Sequence, residues 1–92
     1  MASYRVIYDR SFAKDLRRRP GWLVKKVSQY ARGLAEDPFP RQSTKLSGSD
    51  ALYKIRIGDY RLVYEVDIDQ KLVTLHLLDD RSDAYKRIRR RA

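Results

Sequence analysis

The chain has no cysteine and a single histidine among its 92 residues. Without thiols there is no disulfide framework, no thiolate nucleophile and no thiolate metal site, and one imidazole does not make a histidine-rich metal centre. No apolar run approaches the ~20 residues that a bilayer span needs. Residues 1–5 (M-A-S-Y-R) lack the apolar core of a secretory signal, so a cytoplasmic location is the expectation. Glycine is scarce, with only four in the chain, and none forms a Gly-rich phosphate loop ahead of a helix. Acidic residues are also few, 12 against 21 Lys and Arg. They fall in turns and helix starts, which argues against a two-carboxylate hydrolase. His76 has no Ser and Asp placed to complete a hydrolytic triad. No cofactor and no metal is expected.

Positive charge is abundant. The formal net charge is +9 and the sequence pI about 10.1. Such a field attracts polyanions, with nucleic acid the leading partner class and an acidic protein also compatible. The length fits a single domain, taken as residues 1–92, whose small core leaves stability marginal without a partner.

Residues 52–66 organise the rest. They read L-Y-K-I-R-I-G-D-Y-R-L-V-Y-E-V, two strand-like runs around Gly58-Asp59. A glycine followed by a small polar residue suits a two-residue type II′ turn, which fixes the register. Ile57 then faces Tyr60, Arg56 faces Arg61, Ile55 faces Leu62, Lys54 faces Val63 and Tyr53 faces Tyr64. Alternation puts Tyr53, Ile55, Ile57, Tyr60, Leu62, Tyr64 and Val66 on a core face. Leu52, Lys54, Arg56, Arg61, Val63 and Glu65 take the other. Arg56 opposite Arg61 is a like-charge pair that destabilises a hairpin. Either nearby carboxylates relieve it or the face awaits an anion; a simple solvated face is the alternative.

Around this hairpin, residues 4–8 form an apolar strand expected to be central or well covered. Asp9 and Ser11 suit a helix start, and Pro20-Gly21 stops that helix and opens another. Leu23, Val27, Tyr30, Ala31 and Leu34 recur at helical spacing. Residues 37–50 read as a loop, with Leu46 tucking into the core edge. Residues 67–71 read as a turn and residues 72–78 as a last strand. Val66 opposite Val73 would put Leu62 against Leu77, and Thr74, His76 and Leu78 on the cationic face. The expected fold is α+β: a small twisted antiparallel sheet with an N-terminal helical hairpin on one face, in the order β-α-α-β-β-β, with or without a short C-terminal helix.

A cationic face with phenols nearby suits metal-free RNA cleavage. There the 2′-hydroxyl attacks its own phosphate, and Lys and Arg stabilise the extra negative charge of the phosphorane. Lysine among other cations is easier to deprotonate and can join proton transfer, as can tyrosine. Lys54, Arg56, Arg61, Arg81 and Tyr85 supply these residue types.

K-L-S-G, the L-Y-K-I-R-I-G-D-Y-R-L-V-Y-E-V hairpin, the downstream R-S-D-A-Y and the upstream F-A-K-D-L together resemble the RelE/ParE toxin superfamily of bacterial toxin–antitoxin systems, over nearly the whole chain. The resemblance implies a type II toxin neutralised by a cognate acidic antitoxin. RelE-like members cleave mRNA in the ribosomal A site; ParE-like members inhibit DNA gyrase and are not nucleases. The nuclease set carried over is Lys54, Arg56, Arg61, Arg81 and Tyr85. It implies phosphate binding and transition-state stabilisation by Arg61 and Arg56, and proton transfer shared among Lys54, Arg81 and Tyr85. Lys45, Lys86 and Arg87 extend the expected RNA-binding surface. The full set favours the nuclease branch, with a gyrase inhibitor as the alternative. Asp79-Asp80 departs from the Gly followed by His or Lys common before the Arg81 equivalent, and Ser82 stands where a second Arg is common. The partners implied are the antitoxin and mRNA on the ribosome, and both monomer and dimer are open for the free toxin.

Overall fold

A computed structural model describes residues 3–79. Its elements are β1 (Arg5–Tyr8), α1 (Arg10–Leu16), α2 (Gly21–Glu36), β2 (Thr44–Lys45), β3 (Leu52–Ile57), β4 (Tyr60–Asp67) and β5 (Leu72–Asp79). The strands form one sheet in the order β1-β5-β4-β3-β2. No helix among the described residues is long and apolar enough to cross a membrane.

The two helices lie on one sheet face, as the hydrophobic spacing requires. Leu23, Val27, Ala31 and Leu34 of α2 are buried with Phe12 and Leu16 of α1. Opposite them are Ile55, Ile57, Leu62, Tyr64, Val66, Val73, Leu75 and Leu78. Each fully buried aliphatic side chain contributes about 1.5–3 kcal/mol of transfer free energy, so this interface dominates the stability. Tyr64, fully buried, donates its hydroxyl to the Pro38 carbonyl at 2.9 Å, which pins the chain just after α2 to the sheet.

The β3–β4 register is the one the two-residue loop dictates. Six pairs run from Leu52↔Glu65 to Ile57↔Tyr60. Gly58 has φ +61°, while Asp59 is not among the residues with positive φ. That is the pattern of a type II′ turn.

Three features depart from the sequence-based expectation. First, the sheet is mixed rather than purely antiparallel: β1 pairs parallel with β5. The turns from β2 to β5 fill the sheet with antiparallel neighbours and leave the outer edge of β5 for β1. β1 is therefore an edge strand rather than a central one, with Ile7 40% and Tyr8 37% exposed. Second, the 37–50 loop contains the short strand β2, which pairs antiparallel with β3. Leu46, just beyond it, packs with Val63, Leu52 and Leu77 in a small apolar cluster of its own, not with the helix-side core. Third, β5 carries an irregularity opposite Val63/Tyr64. Tyr64↔Leu75 and Val66↔Val73 hold as expected, but beyond them Leu77 faces Val63 and Leu78 faces Leu62. The extra residue is His76, and the bulge sends Leu78 into the core instead of onto the cationic face.

Candidate functional site

The helix-free face of the sheet can be laid out in cross-strand rows. One row is Arg56–Arg61–Asp79, and the next is Thr44–Lys54–Val63–Leu77. A third joins Leu52, Glu65 and Thr74. Directly opposed side chains have Cβ atoms about 4.5–5.5 Å apart and diagonal ones about 7–8 Å. Lys54, Arg56 and Arg61 therefore form a compact triangle at the hairpin-tip end of the face. Arg56 is exposed, while Lys54 and Arg61 are half-buried. Rigid strands hold all three backbones, so the cations are placed before any ligand arrives.

The like-charge pair has a carboxylate in line with it. Asp79 is 5% exposed and stands opposite Arg61 on the side away from Arg56. The bulge at His76 is the cause. With unbroken alternation Asp79 would fall opposite Tyr60 on the core face; one extra residue turns it onto the cationic face. The run L-H-L-L-D carries the signal, since two consecutive leucines break the period of two. His76 Nε2 lies 2.8 Å from Glu65 Oε1. The face thus has a cationic end, a middle strip of Leu46, Leu52, Val63 and Leu77, and an occupied carboxylate beyond it.

Of the residues expected to act, Lys54, Arg56 and Arg61 are brought together. Lys45 is not with them. It pairs with Tyr53, whose side chain belongs to the helix-side face, so Thr44 rather than Lys45 adjoins Lys54. Alternation along β2 requires this once Leu46 points into its cluster. Arg81, Tyr85, Lys86 and Arg87 lie outside the described residues.

Against known proteins, a family model described as the ParE toxin of type II toxin–antitoxin systems matches residues 6–85. The chain belongs to the RelE/ParE toxin superfamily. It is a toxin of a type II toxin–antitoxin system. It is 33% identical over 76 residues to a RelE1 protein of Methanocaldococcus jannaschii, covering 79% of this chain and 84% of the relative. It is 27% identical over 85 residues to the toxin RelG of Mycobacterium tuberculosis, covering 91% of this chain and 98% of that toxin. Among solved structures it is similar to a chain of the archaeal RelE–RelB complex from Pyrococcus horikoshii OT3. There the TM-score is 0.78 at 30% identity, over 89% of this chain and 99% of the matched one. The family model carries the ParE name, the Methanocaldococcus and Pyrococcus proteins the RelE name and the mycobacterial toxin the RelG name.

Proposed function

We propose that this toxin is a metal-independent, ribosome-dependent endoribonuclease that cleaves mRNA and stops translation in the cytoplasm. The observation that carries the proposal is the preformed triangle of Lys54, Arg56 and Arg61 on one rigid sheet face. In the reaction the 2′-oxygen forms a bond to the adjacent phosphorus while the bond to the 5′-oxygen breaks. One proton leaves the 2′-hydroxyl for a base and another reaches the departing 5′-oxygen from an acid. Charge accumulates on the non-bridging oxygens in between. Arg61 and Arg56 are the groups that stabilise it, with bidentate guanidinium geometry suited to a phosphorane. Lys54, with Arg81 and Tyr85 beyond the described strands, supplies the proton-transfer groups. The partner that holds the toxin inactive is an acidic antitoxin, supported by the Pyrococcus relative's assembly with RelB and by the charge of +9.

The test is primer extension on mRNA translated in a purified system with and without the toxin. Ribosome-dependent cuts within codons support the nuclease reading, and intact mRNA with normal translation rejects it. A second reading, gyrase inhibition without nuclease activity, is favoured by the ParE name of the matching family model. It predicts blocked supercoiling by purified gyrase and no RNA products.

A further inference from the structure

The α1–α2 corner and the β3–β4 hairpin tip meet at an aromatic group that the triangle does not use. Trp22, in the first turn of α2, is 54% exposed. Its ring stands edge-on to Tyr60, with centroids 6.2 Å apart and planes at 60°. Its Cη2 lies over the turn, 3.7 Å from where a Cβ on Gly58 would stand. Tyr60 is itself held by Arg19, whose Cζ lies 5.5 Å from the ring centroid. The Arg19 guanidinium in turn donates to Asp15 and to the Leu78 carbonyl, both at 3.1 Å. The indole is therefore fixed on a rigid support yet left largely open to solvent.

Its surroundings are cationic. Arg17 and Arg18 in the turn leading to α2, Lys25 and Lys26 one helical turn beyond Trp22, and Arg56 near the hairpin tip are all exposed. The exposed carboxylate at the tip is Asp59. Gly58 is two residues from Arg56, about 7 Å along the strand, so the indole and the triangle share the hairpin tip from opposite faces of the sheet. The other exposed large apolar residues, Ile7, Tyr8, Phe39 and Ile68, sit elsewhere on the fold. A protein hot spot sits in a well-packed pocket ringed by contacts that exclude water. A nucleotide base needs only an open π-face and cations for its phosphates.

We propose that Trp22 is a stacking platform for an unpaired RNA base, flanked by Arg17, Arg18, Lys25 and Lys26, and that RNA runs from it over the hairpin tip to Arg56 and Arg61. This extends the RNA reading of the triangle and assigns a contact outside the reacting phosphate. Trp22 touches no reacting atom in this scheme; it positions the strand.

Trp22 is the single tryptophan of the chain, so fluorescence excited at wavelengths the seven tyrosines do not absorb reports on this site alone. The experiment titrates the full chain with a single-stranded RNA octamer and, separately, with inorganic polyphosphate of similar length. Anisotropy of a labelled octamer reports binding in parallel. Saturable quenching by RNA, with little or none by polyphosphate, supports stacking. Trp22→Phe then keeps RNA affinity within a few fold, and Trp22→Ala weakens it about tenfold. Equal quenching by both polyanions overturns the proposal. So does unchanged fluorescence with the octamer bound, which puts the RNA elsewhere on the chain, and so does no binding up to the highest soluble concentration, which points to a protein as the occupant. The two readings fail separately. Cleavage of mRNA without quenching removes the platform and keeps the nuclease; quenching without cleavage does the reverse.

Discussion

Arg61 and Asp79 stand directly opposite each other across β4 and β5, and Arg56 faces Arg61 from the other side. The buried carboxylate at the end of this row is placed to offset the repulsion built into the hairpin. Removing a buried partner leaves an uncompensated charge. Asp79→Asn is expected to destabilise the fold by about 1–3 kcal/mol. For a domain of this size that lowers Tm by about 4–8 °C per kcal/mol. Calorimetry at low and high salt checks it. Part of the loss should be recovered at high salt, which screens the arginine pair. A Tm equal to that of the parent chain would show that the row does not depend on the carboxylate.

The triangle makes a ranked prediction for activity. Arg61 is half-buried on β4 between two neighbouring strands, while Arg56 is exposed on β3. A desolvated, pre-placed guanidinium stabilises transition-state charge more than a solvated one. Arg61→Ala is expected to reduce mRNA cleavage by about 10²–10³-fold, and Arg56→Ala by less. Single-turnover cleavage on programmed ribosomes measures both, with circular dichroism confirming the fold. Equal or inverted losses would move the centre of the site outward along β3.

How much of this was readable from sequence follows from where the information is local. The Gly58-Asp59 turn is a two-residue signal, and it fixed the hairpin register and hence the meeting of Lys54, Arg56 and Arg61. The α2 stripe is likewise local, and Leu23, Val27, Ala31 and Leu34 are buried as their spacing requires. The β1–β5 pairing joins residues far apart in the chain, and nothing within Arg5–Tyr8 encodes the partner or its parallel direction. β2 is two residues inside a Ser/Thr-rich loop, too short for a periodic signal. The bulge at His76 was written in the adjacent pair Leu77-Leu78, but pattern counting absorbs one irregular residue without showing where it falls. That residue decides whether Asp79 faces the core or Arg61.

Leu46 offers a test of how the cationic face is framed. It is 6% exposed and packs on Val63, which is 1% exposed, with Leu52 and Leu77 beside them. Its amide donates to the Leu52 carbonyl at 2.9 Å, extending the β2–β3 ladder. Leu46→Ala is expected to cost about 2 kcal/mol, near the low end for buried leucine because the cluster is small. The loss should be local first. Hydrogen exchange at Leu46 and Lys54 should accelerate before that at β4 and β5. Uniform acceleration across the sheet would mean that the cluster is part of the global core.

Tyr64 sets an alkaline limit to stability. It is fully buried, and burial pushes its hydroxyl from an ordinary 10.0 up to about 12, against the opposing hydrogen bond from Ser43. The folded chain therefore keeps this proton where the unfolded chain releases it. Below pH 10 both states hold the proton and the contribution is complete. Between about 10 and 12 the unfolded state binds fewer protons, so stability falls as pH rises. One such group gives a slope of up to about 1.4 kcal/mol per pH unit. Tyr64→Phe removes the proton and also the bond to the Pro38 carbonyl. At pH 8 the variant should be less stable by about 1 kcal/mol. From pH 10 to 11 the difference should narrow and then reverse, because only the parent chain loses stability through this residue. Urea unfolding at pH 8, 10 and 11 reads both effects. A constant difference across the series would assign the alkaline limb to the remaining tyrosines and lysines instead.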